Sequence, residues 1–420
     1  MFSADCFQKP VFERTKTPPA GPECADPATT PAMNRALPVR GFLLVSAISV
    51  LAPIALAESP ELDALAERVK ALENQVESLR KENQVLRQQL PATDAKSKPP
   101  AVNVVPQGKE TKFALGGYFH INAEMGEPAD SRFPENDRFF LRKVRLGVKG
   151  SFKENVDFML QADVGNNSLA SNASYRVQAT DVYVTWKANP AANLTVGQFK
   201  TPYGYEQLIS ETKTISIERS LASDSLTMGR QTGAMVAGDF FDKKLSYAAA
   251  ITNGLAANNA YNDNEQFAYI GRVSGVVFDN KEVKVSVGAN AFTTRDTGSF
   301  TGRRRGEGID AQVSFAGAEL DAELLQTQFN RDTGADYDAR GWSVMGSYFL
   351  VPNRWQALAR YETYDPSDIA NNDRTDMVVL GVNYFIKGDD LKLSLNYLIG
   401  DPPNSKSNQE RLLARLQVIF

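Results

Sequence analysis

Apolar and polar residues alternate one by one, in segment after segment, from about residue 112 to the last residue of this 420-residue chain, Phe420. In the final segment Leu412, Ala414, Leu416, Val418 and Phe420 share one face of an extended strand. Arg411, Arg415 and Gln417 share the other with Leu413 and Ile419. A single strand of this kind suits many half-buried β-sheets. Its repetition is more constraining. Val378, Leu380, Val382, Tyr384 and Ile386 alternate with Val379, Gly381, Asn383 and Lys387, and Val283, Val285, Val287, Ala289 and Ala291 with Lys284, Ser286 and Asn290. Leu391, Leu393, Leu395, Tyr397 and Ile399 do the same with Lys392, Ser394 and Asn396. A wall built this way separates lipid from water.

The pattern predicts 16 strands, at about 112–124, 139–153, 156–166, 176–188, 192–200, 231–240, 243–252, 265–278, 282–294, 307–317, 319–330, 338–350, 354–364, 373–387, 389–400 and 409–420. Short links after residues 153, 188, 278, 351 and 387 take turns with longer, Gly- and Asn-rich ones, as in outer-membrane barrels. Counts of 14 or 18 fit nearly as well, and a soluble multi-sandwich protein is the competing fold. An even count puts both strand ends on the short-turn, periplasmic side. Aromatic residues near strand ends (Phe139, Phe140, Trp186, Phe240, Phe241, Trp355, Phe385, Phe420) suit interfacial girdles. The expected class is therefore all-β, a 16-stranded antiparallel transmembrane β-barrel at 112–420, preceded by a short α-helical coiled coil.

The front of the chain differs in kind. Arg35 and Arg40, the apolar run 41–52 and the small residues Ala55 and Ala57 follow the order of a secretory signal peptide at 33–57. Met33 then reads as the true start and 1–32 as an upstream extension, with an unusually long signal n-region as the alternative. In 58–90, Leu62, Val69, Val76, Asn83 and Leu90 take heptad a positions, and Leu65, Leu72, Leu79 and Leu86 the d positions. Such a seam needs a partner chain, and its Val/Leu choice with one Asn leans to two strands. Residues 91–111, with Pro91, Pro99, Pro100 and Pro106, read as a linker.

Both cysteines, Cys6 and Cys24, precede residue 58. Removing the five basic and four acidic residues of 1–57 from the 46 basic and 50 acidic of the chain leaves 41 against 46. That dispersed, mildly acidic balance argues against a nucleic-acid partner. The single histidine, His120, stands on the polar face of the first strand with Tyr118, Asn122 and Glu124. No cysteine or second histidine joins it, and no Gly-x-Ser-x-Gly or nucleotide-binding motif occurs, so neither a metal, a cofactor nor an enzymatic activity is expected.

A lumen of this size admits water, and function resides in what narrows and charges it. The longest link, 201–230, carries Tyr203, Tyr205, Glu206, Glu211, Lys213, Glu218, Arg219, Asp224 and Arg230. Its length suggests a functional loop folded inward as the constriction. In the second strand Phe140, Val144, Leu146 and Val148 are expected to meet lipid, which turns Lys143, Arg145 and Lys149 inward as a ladder favouring anions. Arg142 breaks the outward face and is expected near an interface or a neighbouring subunit. Arg303, Arg304 and Arg305 are expected in the fifth outer loop, attracting anions at the mouth or binding lipopolysaccharide phosphates.

Residues 137–150, 156–163, 181–185, 196–204 and 217–220 resemble the phosphate-selective porin O/P family, most specifically in Gly197-Gln-Phe-Lys200-Thr-Pro-Tyr-Gly204. The resemblance implies a homotrimeric, 16-stranded porin of the Gram-negative outer membrane, in contact with its lipid and lipopolysaccharide. It further implies anion or phosphate passage governed by basic groups at a constriction. Lys143, Arg145 and Lys200 match basic positions of the shared motifs; Lys149, Lys213, Arg219, Arg230 and Arg360 complete the expected basic set. The expected function is passive diffusion of small anionic solutes. A structural anchor using the periplasmic coiled coil is the alternative, as is a porin of other or no selectivity.

Overall fold

The computed structural model describes Lys70 and residues 111–165, 174–403, 405 and 407–420. The signal peptide, upstream extension, coiled coil and linker lie outside the described residues, save Lys70 and Thr111.

Sixteen strands follow in order: β1 (Thr111–Gly126), β2 (Arg138–Phe152), β3 (Val156–Asp163), β4 (Gln178–Asn189), β5 (Ala192–Lys200), β6 (Arg230–Phe240), β7 (Leu245–Thr252), β8 (Ala268–Asp279), β9 (Val283–Thr297), β10 (Thr301–Phe315), β11 (Ala318–Arg331), β12 (Tyr337–Val351), β13 (Trp355–Asp365), β14 (Thr375–Lys387), β15 (Leu391–Asp401) and β16 (Gln409–Ile419). Each pairs antiparallel with its neighbours in sequence, and β1 pairs with β16 from Tyr118↔Ile419 to Gly126↔Arg411. The sheet is thereby a closed barrel without a free edge. Phe420 completes the seam: its N–H donates to Gly117 O (3.0 Å) and its carbonyl accepts from Gly117 N (2.9 Å).

Alternation decides which face is which. On β15, Leu393, Leu395 and Tyr397 are exposed outward, whereas Lys392, Ser394 and Asn396 are buried within the barrel. On β16, Arg411, Leu413, Arg415 and Gln417 point inward. The interior therefore holds polar wall residues together with two apolar clusters that grip the loops entering it.

Two expectations fail. First, the β1–β2 register shifts by one residue, from His120↔Lys143 to Ile121↔Leu141, so Arg142 is the extra residue of a β-bulge. Arg142 and Lys143 consequently both turn inward (6% and 4% exposed), and the faces of the residues before the bulge are set by Phe139 and Leu141 outward. Phe140, expected at the lipid, is buried inside with Phe133 and Ile217, and Arg142 does not face an interface or a neighbour. Second, β10 begins at Thr301, six residues earlier than expected. Arg303, Arg304 and Arg305 are strand residues, not loop residues, and the β9–β10 link shrinks to 298–300. Arg303 and Arg305 lie exposed on the outer face with Ile309, while Arg304 turns inward to pair with Asp296 at 2.5 Å.

Candidate functional site

The link between β5 and β6, residues 201–229, folds into the barrel. It opens with Thr201-Pro-Tyr203-Gly204, where Gly204 adopts φ 79°, a left-handed conformation costly for any residue with a Cβ. A one-turn helix, α1 (Tyr205–Leu208), follows; Glu323 of β11 accepts hydrogen bonds from Tyr205 N and from Glu206 N (3.4 Å), satisfying its first N–H groups. A second helix, α2 (Leu221–Leu226), is capped by the Ser220 side chain, which accepts from Ser223 N at 3.2 Å. Its Ala222 seats against Gly341 of β12, where any Cβ would come within 2.5 Å of the Ala222 methyl.

Apolar pegs hold both ends of the loop. Tyr203, Leu226 and Met228 pack with Phe199, Phe292 and Leu325, and Ile217 packs with Phe133, Phe140 and Leu413. The Tyr203 hydroxyl donates to Glu307 O at 3.0 Å. Tyr205 donates to Asp321 Oδ1 at 3.3 Å.

Polar contacts hold the middle to the opposite wall. Glu218 accepts from Arg142 through both oxygens (Nε–Oε1 2.9 Å, Nη2–Oε2 2.8 Å) and from Arg415 Nη2 at 2.6 Å. Asn122 adds a longer contact at 3.4 Å. Arg360 of β13 donates to Ser216 Oγ (2.7 Å) and Glu218 O (2.9 Å), and pairs with Glu206 (3.4 Å) and with Glu362 (2.7 Å). Asn396 Oδ1 accepts from Ile217 N at 2.7 Å. The first outer loop closes over this arrangement, with Arg132 bonded to Asp130, to Asp224 (2.6 Å) and to Arg219 O (2.9 Å).

Glu211 occupies a different setting. Its Oε1 accepts from Arg219 Nη1 at 2.9 Å and lies 3.8 Å from Arg145 Nη2 and 3.9 Å from Lys143 Nζ. Lys200, the last residue of β5, stands nearby, donating to Gln207 O and Ile209 O at 2.8 and 3.0 Å. Burial would raise the Glu211 pKa, but Arg219, then Lys143, Arg145 and Lys200, hold it well below the usual carboxylate range. Glu218 is likewise lowered: burial opposes, and Arg142 and Arg415 prevail.

The remaining expected residues scatter. Lys149 is exposed near the short-turn end of β2, on the same face as Lys143 and Arg145. Lys213 is exposed and paired with Asp389. Arg230 is the first residue of β6, not a loop residue, and is bound to Asp181 at 2.8 Å. Hence Lys143, Arg145, Lys200 and Arg219 come together; Arg230 is the cross-strand neighbour of Lys200 but is bound to Asp181, Arg360 reaches the Arg219 carbonyl at 3.4 Å, and Lys149 and Lys213 stand apart.

Arg142 and Arg415, which the sequence pattern places on strands but not at the site, belong to it, as do Asp163 (2.8 Å from Arg145), Glu323 and Arg132. The adjacent pair Arg142–Lys143 was a usable signal, since two neighbouring cations cannot share one face of a regular strand. His120 is buried with Nε2 2.9 Å from Gln417 Oε1. Among the described residues no group of three or more His, Cys, Asp or Glu is placed to hold a metal ion.

A closed barrel with a polar, loop-narrowed interior and an apolar exterior is the architecture of an outer-membrane porin. Residues 113–420 match the model of the family "Phosphate-selective porin O and P", and the chain belongs to that family. An uncharacterized protein of Aquifex aeolicus (strain VF5) is 21% identical over 334 residues, covering 67% of this chain and 80% of the relative. Among solved structures, the anion-selective porin from Comamonas acidovorans superposes with a TM-score of 0.52 at 14% identity, over 74% of this chain and 100% of that one. Salmonella typhi OmpF gives 0.53 at 10% identity over 74% and 98%, and a trimer form of Vibrio cholerae OmpT 0.53 at 10% over 74% and 99%. At these identities the structural likeness establishes the fold.

Proposed function

We propose that this outer-membrane porin passes small anions, inorganic phosphate among them, and works as a homotrimer. The observation that carries the reading is the convergence of Lys143, Arg145, Lys200 and Arg219 at the inward-folded loop. Among the described residues, Glu211 and Asp163 are the carboxylates within ion-pair distance of these four cations. Among the described residues the basic side chains thus outnumber the carboxylates within that distance where the lumen is narrowed. In a low-dielectric constriction such an excess lowers the entry barrier for anions and raises it for cations. The loop, pinned by Glu218, Ile217 and α2, would set the size limit. The family's name and the anion selectivity named for the Comamonas porin agree with this reading, and the OmpT trimer form with the oligomer. Arg303 and Arg305, facing outward beyond the apolar band, would meet the phosphates of lipopolysaccharide rather than solutes.

The deciding experiment is reconstitution into planar bilayers, with reversal potentials in asymmetric KCl and competition by inorganic phosphate. Anion selectivity is expected. Cation selectivity would refute the anion reading, and absence of conductance would refute passage altogether.

A further inference from the structure

We infer that Glu211 is a tethered counter-ion, holding from within the chain the place among Lys143, Arg145, Lys200 and Arg219 that a passing anion would otherwise take, and so setting how tightly anions are held. The inference rests on the anion-channel reading above and names the residue that tunes it.

The two loop glutamates differ in a way that separates anchor from counter-ion. Glu218 is saturated: both its oxygens are engaged by guanidiniums at 2.6 to 2.9 Å, and it is fixed to β2 and β16 at once. Glu211 accepts one short hydrogen bond, and that from Arg219, a residue of its own loop. Its two contacts to the wall, at 3.8 and 3.9 Å, exceed hydrogen-bonding distance. Charge attraction holds it there, not a fixed bonding geometry. Its side chain is 11% exposed, more than those of Lys143 (5%) and Arg145 (3%) beside it.

A second argument comes from what transport requires. With Glu211 absent, Asp163 would be the carboxylate left on Arg145 at 2.8 Å, and the more basic site would bind a multivalent anion firmly and release it slowly. Conduction needs attraction strong enough for entry yet weak enough for exit. A carboxylate carried by the loop meets both demands, cancelling part of the field while leaving an excess. Because it is bonded to the wall only by charge, it can give way as an anion approaches.

The test is Glu211→Gln in planar bilayers, with chloride current titrated by inorganic phosphate. Removing one negative charge within about 4 Å of several cations is expected to lower the half-blocking phosphate concentration about tenfold or more. Glu211→Asp, which keeps the charge but withdraws it by one methylene, is expected to fall between. Heat-modifiable electrophoretic mobility reports whether each variant assembles; should Glu211→Gln not assemble, Glu211→Asp carries the comparison. An unchanged half-block, or no phosphate effect in either protein, overturns the inference. So does an unchanged half-block with raised conductance, which marks Glu211 as a loop anchor. A cation-selective wild type would instead bring down the channel reading, so the two failures are distinguishable.

Discussion

Arg142 and Glu218, 76 residues apart, meet through two parallel hydrogen bonds of 2.9 and 2.8 Å inside the barrel. The pairing exists because a β-bulge adds one residue to β2 and turns it inward. A bidentate guanidinium–carboxylate contact fixes orientation as well as distance. The midpoint of the long inward loop is thus tied to the second strand of the wall.

Glu218→Ala leaves two buried guanidiniums without this carboxylate. Removing one partner of such a buried pair typically costs about 3–5 kcal/mol. The loop is expected to loosen, giving higher single-channel conductance and faster entry of larger neutral sugars in liposome swelling. Unchanged conductance and sugar cut-off would show that Glu218 does not pin the constriction.

Deletion of Arg142 alone is expected to permit assembly. It removes the bulge residue and leaves Leu141 outward and Lys143 inward in a regular ladder with Ile121 and His120. Deletion of Leu146 shifts one side of β2 by a residue and exchanges its lipid and lumen faces. The fraction of heat-modifiable barrel distinguishes the two, and equal yields would contradict the assigned bulge.

The pH response follows from Glu211 and Glu218. Both carboxyls are held below their ordinary value of 4.5 in the folded protein. Their contribution to loop anchoring is therefore complete above the unfolded pKa and is lost only as pH falls through the lower folded values. The part of the conductance and selectivity that depends on these two carboxyls is expected to stay level from pH 7 to about 5, above the ordinary glutamate value of 4.5. A transition centred at pH 5 or above, absent from Glu211→Gln, would contradict this.

Arg303→Gln with Arg305→Gln is expected to leave the reversal potential unchanged, because both side chains lie on the outer face of β10. Binding of purified lipopolysaccharide to the detergent-solubilised barrel is expected to weaken. A shift toward cation selectivity would instead place these arginines in the solute path.

The strands were legible because their apolar residues recur at every second position where lipid covers the wall. Legibility ended where lipid ends. The stretch Thr301–Gly306 is a strand beyond the apolar band, so nothing in its Arg-rich composition marks it as one. The bulge was hidden by Phe139, Phe140 and Leu141, three consecutive apolar residues compatible with either facing. The inward loop could be suspected from its length, but its partners could not: Arg360, Asn396 and Arg415 come from strands 142 to 198 positions away along the chain.

The same carboxylate that Arg142 holds is also held by Arg415 of β16, with Asn122 of β1 alongside. Its grip thus draws on the first two strands and on the last, which are neighbours only once β1 and β16 have zipped together. Until the last strand arrives, Glu218 has Arg142 without Arg415. The two-sided grip on Glu218 is thereby completed only when the ring closes, which couples this anchor of the loop to the seam between β1 and β16.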